Sequence, residues 1–389
     1  VFPAVMAHVL QYMQRPEPGF RKGAMLSLAI ITEGGVDYMR PRIGDFVALI
    51  CAGLGDPDIQ VRRAACMALG CIADELDEEV ASYHEKLMPL IFNMTSESNT
   101  TIVKYATNTL DCILESMGEA IVAYLPRLME RLVALLDGGP AEVKPIALSA
   151  IGSAAHSSGE AFGPYFDGVV ARIKQAMALT GDDDLLALRG VATDTISTIA
   201  EAAGRDAFRP HLDDTVRLAL QGMEIASATL RESGFCYFGV MSRVFEDEFA
   251  QYLGVIAPQV LATLRMTETA VDFDGGADPE MAADSSQGGG DADDDEDYDD
   301  DDDSSDSPLG INTGVADEKE VAADAVGQLF ASTGKAFLPY VEEVSSELIT
   351  LLDHYSDTAR KAATVALLTF VRTFGKIGSA EPWKAGIPV

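Results

Sequence analysis

The side chains best equipped for catalysis or metal binding are scattered along this sequence rather than gathered. The five histidines, His8, His84, His156, His211 and His354, stand far apart, and no two are spaced as metal ligands are. The cysteines are Cys51, Cys66, Cys71, Cys112 and Cys236, with no C-x-x-C pair among them. So odd and sparse a set does not build a disulfide framework and points to a reducing compartment. Cys66 and Cys71 read instead as small apolar residues of one helix. No G-x-x-x-x-G-K-[ST] or G-x-S-x-G occurs, and Gly288 to Gly290 lie in low-complexity sequence rather than after a strand. Carboxylates are abundant, but they sit at turns or in one acidic run, which gives acid–base catalysis no support. These residues predict no enzyme, no metal site and no cofactor. What is left to them is electrostatic attraction.

That attraction is concentrated. The chain of 389 residues carries 62 Asp+Glu against 28 Lys+Arg, a net charge of −34. Residues 266–318 hold 20 acids and no base, so the rest of the chain carries only −14. The densest part is Asp293, Asp294, Asp295, Glu296 and Asp297, followed by Asp299, Asp300, Asp301, Asp302 and Asp303. So negative a chain repels nucleic-acid phosphate and anionic membrane surfaces, and a basic protein is the partner it attracts. No apolar run approaches the ~18 residues of a membrane-spanning helix, so no membrane insertion is expected. Hydrophobic residues are 48%, enough for a buried core over most of the length.

The elements that position these charges repeat. Aligned on Ala24, Ala65, Ala106, Ala147, Ala192, Gly234, Ala322 and Ala363, the segments recur at spacings of 41, 41, 41, 45, 42, 88 and 41 residues. The polar tract Gly181 to Asp184 accounts for the 45, and an insertion at 272–318 accounts for the 88. Each unit reads as two helices. In the first, apolar residues such as Val61, Ala65, Ala68, Leu69 and Ile72 follow helical spacing, and Asp58 is its expected N-cap. Glycine is expected to end the first helix at Gly118, Gly159, Gly204, Gly334 and Gly375. An aromatic and a proline then open the second helix, as in Tyr83 and Pro89, Tyr124 and Pro126, Phe208 and Pro210, Phe337 and Pro339. Such a pair cannot bury both apolar stripes alone, and stacked copies form a superhelix. The expected fold is an all-α solenoid of about seven full helical pairs with partial repeats at its flanks. It is organised as 1–271, a disordered acidic insertion at 272–318, and 319–389. Residues 1–16 read as a second helix and 381–389 as the start of a further helix. Val1 falls inside a helical pattern rather than a secretion signal, so a fragment of a longer chain is expected.

The stretch Asp56 to Ala73, with its Asp, its Val61-Arg62 pair and its spaced alanines, resembles the HEAT-repeat consensus. A basic residue returns at Lys104, Lys144, Arg189, Arg231 and Arg360. The second-helix openings at 123–129 and 337–341, together with the acidic insertion, resemble the importin-β (karyopherin-β) superfamily, most of all its importin-four branch. The resemblance implies a nuclear import receptor shuttling between cytoplasm and nucleus. It implies cargo with basic segments, such as histones or ribosomal proteins, contact with nucleoporins, and release by Ran-GTP through regions largely outside this segment. It also implies that second helices line the concave face. In importin-β itself the acidic loop lies within one repeat, whereas this insertion falls between two.

On the second helix over 337–352 the apolar stripe is Phe337, Leu338, Val341, Val344, Leu348, Leu351 and Leu352, which leaves Glu342, Glu343 and Glu347 off it. Glu130 and Asp137, and then Asp213, Asp214 and Glu224, hold the equivalent places in two other repeats. As a set they are expected to form shallow lysine-accepting pockets, with the acidic run as a flexible polyanion nearby. A monomer is expected. The reading of a different class is a static HEAT scaffold organising a multiprotein complex, with binding insensitive to Ran-GTP.

Overall fold

The structure is a computed structural model that describes residues 2–267 and 313–380. Among the described residues every regular element is helical. After a single helix, Phe2–Tyr12, come seven helical pairs. Their first helices are Pro18–Thr32, Ile59–Glu75, Thr100–Leu114, Lys144–Ser158, Asp183–Ala203, Ala228–Phe245 and Thr313–Thr333. Their second helices are Ile43–Leu54, His84–Met94, Leu125–Gly138, Gly163–Ala176, Leu212–Met223, Leu253–Leu264 and Leu338–Leu351. An eighth first helix, Asp357–Ala380, follows. First helices pack on first helices along the array, and second helices back onto them.

Local chemistry sets the helix starts. The Asp58 carboxylate accepts from the backbone N–H of Gln60 at 2.9 Å and of Val61 at 3.3 Å. Asn99, Asp182 and Ser227 cap three later first helices in the same way. The alignment column is the seam of the array. Its seven alanines are each 0% exposed and Gly234 is buried with them. A Cβ at Gly234 would lie 2.7 Å from Met223 Cγ and Sδ, so alanine here would oblige that flexible side chain to shift.

Four of the five expected helix-ending glycines have positive φ: Gly118, Gly159, Gly204 and Gly334. Gly375 does not end its helix, which runs on to Ala380. Nothing in Lys376-Ile-Gly-Ser-Ala380 forces a left-handed turn, and one interior glycine costs only about 1 kcal/mol. Proline sits in the first turn of Leu125–Gly138 and Leu338–Leu351 as expected, but Pro89 lies inside His84–Met94. The expected stripe on 337–352 is narrower than drawn, since Leu338 and Leu352 are 41% and 37% exposed.

In the sixth repeat Glu246 takes the glycine's place. Its φ of 49° and ψ of −124° match the 50° and −125° of Gly159. A side chain in this glycine-only region carries strain of about 1–3 kcal/mol. Glycine there gives back part of that through its backbone entropy, about 0.5–1 kcal/mol. Glu246 otherwise makes a solvent-exposed contact to Arg205 at 3.7 Å, worth little. Glu246→Gly is therefore expected to stabilise the chain by about 1 kcal/mol, read as a higher urea midpoint. A lower midpoint contradicts the strain.

The insertion boundary also differs from the expected 272–318. The first helix of the seventh repeat begins at Thr313, and Ala316, Glu318 and Lys319 are buried. Repeat arithmetic fixes how many residues are extra but not where the helix starts, and this helix takes in its upstream acids. The acidic run 293–303 and the segment 381–389 lie outside the described residues. On either side of the gap the array is continuous, with Ala228–Phe245 packed on Thr313–Thr333.

Candidate interaction surfaces

The second-helix layer carries a ladder of ion pairs between neighbouring repeats. The Arg172 guanidinium donates to both oxygens of Asp137 at 2.9–3.2 Å. Lys174 Nζ lies 2.9 Å from Asp214. Arg209 grips Glu248 at 3.0 and 3.2 Å. Arg265 reaches Glu347 at 2.8 Å and Glu343 at 3.1 Å. The hydrogen bond from Arg172 holds the Asp137 carboxyl below the usual carboxylate range, and that from Lys174 does the same for Asp214. These groups are largely exposed, so the ladder fixes register more than it adds stability.

This geometry places the expected lysine pockets differently from the sequence reading. Asp137, Asp214, Glu343 and Glu347 already face a cation from the adjacent repeat, and Asp213 accepts from the Tyr252 hydroxyl. Glu224 and Glu342 are exposed and make no ion pair among the described residues. Glu130 lines a notch of about 240 Å³ with Phe92, Ser96, Arg127, Arg131 and Ala134, where the other charges are positive.

The first-helix layer holds features the sequence reading missed. A groove of about 840 Å³ runs over four first helices between Asp74 and Thr198. Its floor is the small residues Ser149, Gly152 and Ser153, and its rim carries Asp74, Asp77, Asp111, Glu115 and Asp194. Asp111 accepts from Ser153 Oγ at 2.6 Å, and burial pushes its carboxyl above the usual range. The signal was in the alignment, where the position five residues after the seam alanine is small or acidic in these four repeats, as Gly70, Asp111, Gly152 and Ser197. Near the turns, the basic residue three before the seam ties the repeats together. Arg21 holds Asp56 at 2.7 and 2.9 Å, and Arg62 holds Glu97 at 2.8 Å. Arg231 holds Glu318 at 2.6 and 2.9 Å. Arg189, 3% exposed, instead caps the carbonyls of Leu179 and Leu218.

Among the described residues no group of three or more His, Cys, Asp or Glu could hold a metal ion. No described helix is long and apolar enough to cross a membrane. Burial pushes the Cys66 and Cys112 thiols up to about 12, which leaves them unreactive.

Residues 55–188 match the family model for importin subunit beta-1-like TPR repeats, and residues 18–72 match that for a HEAT-like repeat. The probable importin subunit beta-4 of Schizosaccharomyces pombe is 34% identical over 391 residues, covering 100% of this chain and 36% of that protein. The chain belongs to the importin-β superfamily, on its importin-4 branch. Importin-4 of Homo sapiens is likewise 34% identical, over 95% of the chain and 35% of its own length. The chain thus spans about a third of the length of these importin relatives. The crystal structure of Kap121p bound to Pho4p superposes with a TM-score of 0.76 at 20% identity, over 95% of this chain and 35% of that one. Kap121p bound to Nup53p gives 0.75 at 20%, over the same shares. These karyopherins share the fold, an all-α HEAT solenoid.

Proposed function

We propose that this chain is a segment of a nuclear import receptor that works by wrapping protein cargo, with no catalysis of its own. The similarity to importin-4 proteins along the entire chain carries this reading. The excess of acid supports cargo with Lys/Arg-rich segments, histone tails or ribosomal-protein extensions, met on the second-helix layer and drawn in by the acidic run 293–303. Glu224 and Glu342 are the carboxylates of the expected set free to meet such cations. Asp137, Asp214, Glu343 and Glu347 hold the spacing between repeats. Kap121p is seen with Pho4p and with Nup53p, and by likeness protein cargo and nucleoporins are the partners proposed here. Release by Ran-GTP and shuttling between cytoplasm and nucleus belong to the same reading.

The test uses a fluorescent histone-tail peptide, with the 389-residue chain and a version lacking 272–312. Binding is expected to weaken with salt and to weaken several-fold without the insertion, because each screened or deleted charge lowers the attraction. Affinity and salt slope unchanged by the deletion refute the role of the acidic run. In the full-length receptor, Ran-GTP is expected to release the peptide, and retention points to a static scaffold instead.

A further inference from the structure

The notch beside Glu130 has a charge that runs against the rest of the molecule. Arg127 and Arg131 stand one helical turn apart on Leu125–Gly138, a like-charge spacing that costs helix stability. Elsewhere arginines at the joins between repeats are answered from an adjacent repeat: Arg172 by Asp137, Arg209 by Glu248, Arg265 by Glu343 and Glu347. Arg127 and Arg131 have no carboxylate partner among the described residues, in a chain of net charge −34. The Arg127 guanidinium lies 4.8 Å over the Phe92 ring, and the residue is otherwise exposed. Arg131 gives one N–H to the Thr95 carbonyl, and its Nε is buried without a hydrogen-bond partner. Burial pulls the Arg131 pKa below arginine's ordinary value, with no counter-charge to restore it. The charges lining the notch are these two guanidiniums and the exposed Glu130, and the nearby Glu97 is held by Arg62 at 2.8 Å.

We propose that the Arg127–Arg131 notch docks a phosphoserine or phosphothreonine side chain of a partner polypeptide. Two guanidiniums on one helix face offer more N–H donors than a single carboxylate can accept. A phosphate monoester brings three acceptor oxygens and nearly two negative charges at neutral pH. The notch therefore selects an anion where the adjoining acids select cations, and the two kinds of contact lie on the same layer. The proposal stands on the notch and does not depend on the transport reading.

The probe is a short degenerate peptide library fixed only at a central phosphoserine, applied to the immobilised 389-residue chain with unphosphorylated and aspartate-substituted copies alongside. The phosphorylated library is expected to be retained, to be displaced by inorganic phosphate, and to lose about tenfold or more on Arg127→Gln, which removes charge-assisted hydrogen bonds from an exposed residue. Arg131→Lys keeps a donor for Thr95 and is expected to lose less. The proposal is overturned if Arg127→Gln retains the library as well as the parent chain does, or if the unphosphorylated or aspartate copy is retained equally. Histone-tail binding is expected to survive Arg127→Gln, so failure here and failure of the transport reading are separable.

Discussion

Replacing Phe330 by alanine is expected to destabilise the last two repeats by about 3–5 kcal/mol, the cost of emptying a fully buried aromatic site. Phe330 is 0% exposed. Its ring meets Phe370 edge-on at 4.7 Å, Phe374 at 5.2 Å and Phe337 at 5.6 Å. One side chain thus joins the first helix of the seventh repeat, its connector and the first helix of the eighth. Each such aromatic contact adds roughly 0.5–1.5 kcal/mol beyond the area it buries. Because each repeat touches only its neighbours, the loss is expected to stay local. Hydrogen exchange should show residues 313–380 losing protection while 59–114 keep theirs. Equal loss along the whole chain contradicts nearest-neighbour coupling, and no loss contradicts the packing role.

The fold was legible because the seam is forced. A small residue is required wherever first helices stack, so Ala24 through Ala363 recur in register and the period shows without an alignment of relatives. Asp58 was legible as a cap for an equally local reason. The surface was less so. A helical wheel tells which acids leave the apolar stripe, but it does not tell what they face. Asp137 meets Arg172, 35 residues on, and Glu343 meets Arg265, 78 residues back across the insertion. Those distances depend on how repeats stack. Attention to carboxylates alone also concealed Arg127 and Arg131, which leave the same stripe and reverse the charge around Glu130. Glu318 was read as insertion because the repeat arithmetic and the base-free stretch both ran up to Lys319, yet its carboxylate is buried against Arg231.

That burial makes Glu318→Ala the second large effect, about 2–3 kcal/mol. The side chain of Glu318 is 3% exposed and that of Arg231 24%, and the bond is bidentate at 2.6 and 2.9 Å. Breaking a buried pair costs about 3–5 kcal/mol because the remaining charge is left desolvated. Partial exposure of Arg231 lowers that figure through solvent screening. The guanidinium left behind cannot escape by losing its proton, since arginine stays charged far above neutrality. Removing both charges with Arg231→Met and Glu318→Leu is therefore expected to restore most of the lost stability. The second connection across the insertion, Arg265 to Glu343 and Glu347, is more exposed, and Glu343→Ala with Glu347→Ala is expected to cost about 1 kcal/mol or less. Urea unfolding of the four chains decides. If the exposed pair costs as much as the buried one, the repeats on either side of the insertion are held by the second-helix ladder instead of by the clasp on the first-helix side. If the buried pair dominates, the array stays joined across the insertion whatever the ladder acids on the second-helix layer meet.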